Sequence, residues 1–204
     1  KRSEQRLHYL ANYDVLTGLF NRNSILNHIE KTLKTNLELS LIMIDLDRFQ
    51  DLNDGLGHNI GDQLLKAVAN RLQNHTKRQD ILARVGGDEF MVALPGQSLP
   101  EAEALAEQLL EAFTLPFKVL EYQLFITASM GLAHSEQALG NSVQLLKHVD
   151  LALYRAKNIG RNGYVSFNAD LATDAAVRQQ LTEELRHALS NNEFELFYQP
   201  QIDA

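Results

Sequence analysis

Two aspartates, Asp45 and Asp47, close the apolar run Leu41-Ile42-Met43-Ile44, and a second acidic pair, Asp88-Glu89, follows the glycines Gly86-Gly87. On a strand, side chains two apart share a face, so Asp45 and Asp47 point one way and Leu46 the other. Acids at a strand end suit a hard cation: Mg²⁺ takes one or two carboxylates and completes its octahedron with water and substrate phosphates. If the segment after the glycines pairs beside the first strand, carboxylates distant in the chain meet at one sheet edge. A lone Asp-x-Asp is more often a solvated turn. Here the Gly-Gly-Asp-Glu segment stands with it, as does a glycine-rich stretch, Gly55-Leu56-Gly57-His58-Asn59-Ile60-Gly61. Ahead of a helix, that stretch offers backbone amides and close approach to a phosphate. No Gly-x-x-x-x-Gly-Lys run occurs, which excludes P-loop chemistry.

These residues need a scaffold, and the composition supplies one. The chain has 204 residues, 45% of them apolar and 22% charged, which suits one sizeable domain with an appendage rather than a disordered segment. A formal charge of −7 argues against binding driven by general attraction to nucleic acid or anionic lipid, so a phosphate ligand requires local help. Without cysteine there is no disulfide framework, thiolate metal site or cysteine nucleophile, and cytosol is the expected compartment. The apolar runs fall far short of the roughly 20 residues that span a bilayer, and no signal-peptide pattern opens the chain, so membrane contact is not expected. The seven histidines show no metal-ligand spacing. A first residue of Lys1 and an ending in strand-like alternation suggest a piece of a longer protein.

Periodicity predicts helices over 1–13, 24–34, 62–74, 101–113, 143–158 and 170–190, and strands over 39–44, 81–85, 89–94, 122–133 and 164–167. The glycine pair between 81–85 and 89–94 predicts a hairpin, with glycines accepting the positive φ that two-residue turns require. An antiparallel pair among alternating helices and strands makes residues 14–167 a mixed α/β core rather than a purely parallel sheet.

Gly86-Gly87-Asp88-Glu89-Phe90 resembles the signature of GGDEF domains, the diguanylate cyclases, and other segments match in order. Asp14-Val15-Leu16-Thr17-Gly18-Leu19-Phe20-Asn21-Arg22 resembles the family's opening motif. Asp45-Leu46-Asp47-Arg48-Phe49 with Asn53-Asp54 and Gly57-His58-Asn59-Ile60-Gly61-Asp62 resembles its nucleotide site. Asp150-Leu151-Ala152-Leu153-Tyr154-Arg155-Ala156-Lys157 through Gly160-Arg161-Asn162-Gly163 resembles its closing helix and loop. The resemblance implies a nucleotidyl-cyclase-like α/β (α+β) fold, with a ferredoxin-like central antiparallel sheet, flanking helices and the GGDEF β-hairpin. It implies condensation of two GTP into cyclic di-GMP, with loss of two pyrophosphates, in a homodimer whose subunits each hold one GTP. By position, Asp45, the Leu46 carbonyl and Asp88 would bind Mg²⁺ or Mn²⁺. Asp88 would help deprotonate the attacking 3′-hydroxyl, with Glu89 beside it in a less defined role. Asn53, His58 and Asp62 would contact substrate, Asn53 and Asp62 reading guanine, while Lys157 and Arg161 would reach phosphates. At a helix end, those two cations also suit the helix dipole without any ligand.

The chain departs from the family pattern twice. Gln50 stands where active members usually carry Lys, so a charge on the transition-state phosphates is missing and slower turnover follows. The product-inhibition turn, Arg-x-x-Asp in the family, is Lys77-Arg78-Gln79-Asp80 here, and Lys cannot stack and fork as Arg does, so inhibition through Lys77 and Asp80 is expected to be weak or absent. Residues 193–201 resemble the first strand of EAL domains, the cyclic di-GMP phosphodiesterases. The expected organisation is a connecting helix over 1–13, the GGDEF domain over 14–168, an interdomain helix over 169–192 and a truncated EAL strand over 193–204. Two functional readings compete: an Mg²⁺-dependent diguanylate cyclase domain, and a GTP-binding regulatory module with little turnover that controls an adjacent EAL domain.

Overall fold

The computed structural model describes residues 2–173, with 184, 188, 191, 193 and 195–197. It divides into a unit over residues 1–168 and a second over 169–204. The interdomain helix and EAL strand expected over 169–192 and 193–204 lie mostly outside the described residues. In the second unit, residues 169–173 are helical and the Glu193 amide donates to the Ala188 carbonyl at 2.9 Å.

The first unit runs α1 (Arg2–Asn12), α2 (Arg22–Lys34), β1 (Leu39–Leu46), α3 (Phe49–Leu56), α4 (His58–His75), β2 (Ile81–Arg84), β3 (Glu89–Pro95), α5 (Leu99–Phe113), β4 (Phe117–Val119), β5 (Tyr122–Leu124), β6 (Ala128–His134), α6 (Ser142–Asn158) and β7 (Gly163–Ser166). Five strands form one sheet in the order β2-β3-β1-β6-β7, and β4-β5 is a separate hairpin. All pairings are antiparallel except β6 with β7, which is parallel, so the sheet is mixed, as expected.

Every residue of β1 is buried, because both faces of the central strand are covered. Ile42, Ile44 and Leu46 join Phe90, Val92, Met130 and Leu132 in one apolar cluster with Leu64, Val68 and Leu72 of α4 and Leu105 and Leu109 of α5. Leu41, Met43 and Asp45 alternate onto the face that meets α6. There a Cβ on Gly131 would fall 2.2 Å from the Leu153 amide nitrogen and 2.3 Å from the Val149 carbonyl oxygen, so glycine lets the α6 backbone lie on the sheet. Helix α6 turns Leu145, Val149, Ala152, Leu153 and Ala156 inward, the spacing of one helical face.

The structure corrects three expectations. The strand expected over 122–133 is two strands in different sheets, broken at Phe125, whose 72% exposure interrupts the burial of Leu124 and Ile126. The glycine-rich stretch is not a loop before a helix. Helices α3 and α4 abut at Gly57, whose φ of +87° makes the break alone. The hairpin joining β2 and β3 forms, but neither Gly86 nor Gly87 has positive φ. Val85 donates to the Glu89 carbonyl at 2.9 Å, leaving Gly86, Gly87 and Asp88 as a three-residue loop. Glycine serves close approach at Gly86 instead, since a Cβ there would meet Glu89 Oε2 at 2.4 Å.

Candidate active site

Strands β1 and β3 pair with Asp45 opposite Glu89, so the end of β1 and the start of β3 form one sheet edge. The Leu46 amide donates to the Asp88 carbonyl at 3.3 Å, holding the hairpin loop to β1. Asp45 is 7% exposed, and its Oδ2 accepts an ion pair from Lys157 Nζ at 2.6 Å. Burial pushes the Asp45 carboxyl above its ordinary value. Lys157 works against that rise, and the charges of Asp88 and Glu89 add to it. Carboxylates from 43 residues apart in sequence therefore feel one another here, with the last turn of α6 supplying the cation.

Asp47 shares this face yet does different work. Its carboxylate accepts from Thr127 Oγ1 at 2.6 Å, Ser129 Oγ at 2.7 Å and the Asn162 amide at 3.0 Å. That strut ties the end of β1 to β6 and to the loop carrying Arg161, and leaves Asp47 committed to structure.

The loop Gly86-Gly87-Asp88 has its own brace. Arg84 donates to the Gly87 carbonyl from Nη2 at 2.7 Å and from Nε at 3.1 Å, and its Nη1 reaches Asp14 Oδ1 at 3.2 Å. Asp14 also accepts from the Thr17 amide at 2.9 Å and the Thr17 hydroxyl at 2.6 Å. Burial pushes the Asp14 carboxyl up, but the Thr17 bonds and the Arg84 charge outweigh it and hold it below its ordinary value. Asn21 donates from Nδ2 to the Ala11 carbonyl of α1 at 3.0 Å and caps α2 by accepting from the Ser24 amide. The opening motif is thus a strap from α1 to the hairpin loop. Sequence reasoning missed Arg84; its signal was an arginine two residues before the glycine pair.

A second cluster lies where α3 meets α4. Asn53 Oδ1 is buried without a protein hydrogen-bond partner, and a Cβ on Gly61 would fall 1.9 Å from it. Glycine at 61 therefore makes room for the Asn53 amide, next to Asp62. An orphaned buried acceptor is costly and calls for a donor from outside the chain. His58 stands exposed at the first position of α4. Helix α3 opens at Arg48, in the left-handed region at φ +57°, without a side-chain cap, so the helix start beside the acidic edge is that of α3. Gln50 Nε2 donates to Asp54 Oδ1 at 3.1 Å along the outside of α3.

Lys157 and Arg161, expected together, line different hollows. Lys157 borders one of about 450 Å³ with Arg22, Glu89, Asp150 and Tyr154, between α2 and α6. Arg161 borders one of about 360 Å³ with Arg48, Leu52, Phe125 and Thr127. In the loop that matches the family's product-inhibition turn, Asp80 Oδ2 accepts from the Lys77 amide and Oδ1 from Gln97 Nε2, both at 2.6 Å.

Among the described residues, no group of three or more His, Asp or Glu side chains is arranged to hold a metal alone. Asp45 and Asp88 with the Leu46 carbonyl nonetheless fit Mg²⁺ or Mn²⁺, a cation content with two carboxylates when phosphates and water supply the rest. The mutual charge of Asp45, Asp88 and Glu89 is the feature that such an ion relieves.

The fold matches the solved GGDEF domain of TpbB (YfiN) from Pseudomonas aeruginosa with a TM-score of 0.76 and 28% identity, over 80% of this chain and 99% of that one. Residues 11–163 match the family described as diguanylate cyclase, GGDEF domain, and the chain belongs to that family. It is similar to the bifunctional diguanylate cyclase/cyclic di-GMP phosphodiesterase MucR of P. aeruginosa, at 34% identity over 98% of this chain, and to the cyclic di-GMP phosphodiesterase PdeR of Escherichia coli, at 34% over 99%. The chain spans 30% and 31% of the lengths of those two relatives. No helix among the described residues is long and apolar enough to cross a membrane.

Proposed function

We propose that this chain is a diguanylate cyclase domain that joins two GTP molecules into cyclic di-GMP across a homodimer, within a protein that also carries an EAL domain. The observation that carries this reading is the meeting of Asp45, Asp88 and Lys157 at one sheet edge, with the hairpin loop braced onto it.

Each half-reaction forms one bond from a 3′-oxygen to the α-phosphorus of the opposing GTP and breaks the bond from that phosphorus to the β-phosphate bridging oxygen, releasing pyrophosphate. Two such steps close the ring. Asp88, half-buried at the loop tip, takes the hydroxyl proton, and Glu89 maintains negative charge beside it. Asp45, Asp88 and the Leu46 carbonyl would hold Mg²⁺ or Mn²⁺, which when bound would neutralise phosphate charge and acidify the hydroxyl. Lys157 and the uncapped start of α3 meet phosphate oxygens, while Arg161 acts from the neighbouring hollow. Asn53 Oδ1 accepts from the guanine amine and Asp62 from N1 and that amine, a donor pair adenine lacks. His58 contacts the substrate from the start of α4.

Position 50 favours the second reading, a GTP-binding regulatory module with little turnover that controls the EAL domain, because Gln carries no charge and its bond to Asp54 turns it along α3. Turnover of GTP with Mg²⁺ across protein concentrations, with product identified by mass and Asp88→Ala as control, separates the two. Cyclic di-GMP formed steeply with concentration and lost in the control supports the cyclase. Bound GTP with no product at any concentration supports the regulatory module.

A further inference from the structure

Lys157 and the metal ligand Asp45 already occupy one another. The Lys157 ammonium sits 2.6 Å from Asp45 Oδ2, with the Lys side chain 33% and the Asp side chain 10% exposed. A cation approaching Asp45 therefore meets a positive charge on the oxygen it needs. Like charges this close repel strongly where water is partly excluded. The remaining protein ligands cannot compensate, since no group of three acids or histidines is arranged to hold a metal alone among the described residues.

The backbone around Lys157 is fixed while its side chain is long. The Ile159 amide donates to the Arg155 carbonyl at 3.0 Å, and the Asn162 amide is tied to Asp47 at 3.0 Å. The four-carbon stem can swing its ammonium between oxygen partners with no change in α6. A one-third exposed ammonium can leave a carboxylate for water, but it exchanges one ion pair for another only when a second anion receives it, and a nucleotide phosphate is such an anion.

We propose that Lys157 guards the metal site, excluding the bare divalent cation by pairing with Asp45 and releasing Asp45 only when nucleotide phosphate takes over its ammonium. Cation and nucleotide then bind synergistically, with the lysine as the exchanged group. This rests on the nucleotide-site reading above, and concerns binding rather than turnover.

The test is Mn²⁺ binding to the 204-residue chain, followed by the electron paramagnetic resonance signal of free Mn²⁺, with and without a GTP analogue carrying a methylene between the α- and β-phosphorus. Lys157→Met is expected to bind Mn²⁺ alone about tenfold tighter than the unaltered chain, and Lys157→Arg, which keeps the charge, to bind it as weakly as the unaltered chain. The analogue is expected to tighten Mn²⁺ binding to the unaltered chain about tenfold beyond what it chelates in solution, and to tighten it under about threefold in Lys157→Met. Unchanged or weaker binding of Mn²⁺ alone to Lys157→Met overturns the guard. Where circular dichroism shows that Lys157→Met is unfolded, Lys157→Gln carries the same expectations, and absence of synergy in an unaltered chain that does bind the analogue also overturns the proposal. An analogue that binds neither protein, beside a tenfold gain for Mn²⁺ alone, sinks the nucleotide reading and the handover to phosphate, but not the exclusion of bare cation by Lys157.

Discussion

Replacing Asp47 by Ala removes an acceptor that serves three donors at once, and the structure sets the size of the loss. Thr127 Oγ1, Ser129 Oγ and the Asn162 amide all bond its carboxylate within 3.0 Å. A hydrogen bond to a charged group is worth roughly 1.5–3 kcal/mol, so three sum to about 4.5–9 kcal/mol. Two terms reduce that. The variant no longer buries the Asp47 charge, and the exposed Asn162 can turn to water. Ser129, with no exposed surface, cannot. The net expectation is a loss of roughly 3–5 kcal/mol, which for a chain of this size lowers the thermal midpoint by about 10 °C. Urea unfolding with linear extrapolation measures it. Asp45→Ala, two residues earlier, is the control. There burial and the charges of Asp88 and Glu89 oppose ionisation, and Lys157, one-third exposed, can turn to water once the carboxylate is gone, so stability should change by under about 1 kcal/mol while nucleotide-dependent metal binding is lost. A loss below about 1 kcal/mol for Asp47→Ala would refute the division of the two aspartates into strut and ligand.

Gln50→Lys is expected to raise GTP turnover about tenfold or more with GTP affinity unchanged, because it places a charge near the developing phosphate charge; steady-state kinetics showing no rise would clear position 50 of blame. Both Asp80 oxygens are engaged by Lys77 and Gln97, so isothermal titration should find no submicromolar cyclic di-GMP site, and tight binding abolished by Asp80→Ala would sink that expectation. Asp14 titrates below its ordinary value of 3.8, so the stability it adds is present above that value and lost as pH falls through its folded pKa. The stability difference between the unaltered chain and Asp14→Asn should hold steady from about pH 7 to 5 and shrink below about pH 4. A difference that persists undiminished in strong acid would show that the carboxylate charge is irrelevant there.

Local pattern made much of this protein legible. The apolar run before Asp45, the glycine pair between two strand-like segments and the 3.6-residue stripe of α6 each express a short-range constraint, and β1, the hairpin and α6 formed where those constraints pointed. Elements whose signals conflict within a few residues were not legible. Helix α3 hid among glycines because only one of them, Gly57, breaks the chain, and the strand expected over 122–133 split because exposed Phe125 separates two sheets. The site followed the same rule. Residue types and spacing identified Asp45 and Asp88 as candidates, since acids at strand ends carry their chemistry with them, whereas Asn53 became one only through the family resemblance. That Asp45 meets Lys157, that Asp47 is spent on Thr127, Ser129 and Asn162, and that Arg84 clamps Gly87 to Asp14 were decided by tertiary structure alone. Partners separated by as many as 115 residues leave no mark on local spacing, and only the sheet register and the close approach of α6 over Gly131 bring them within hydrogen-bond reach.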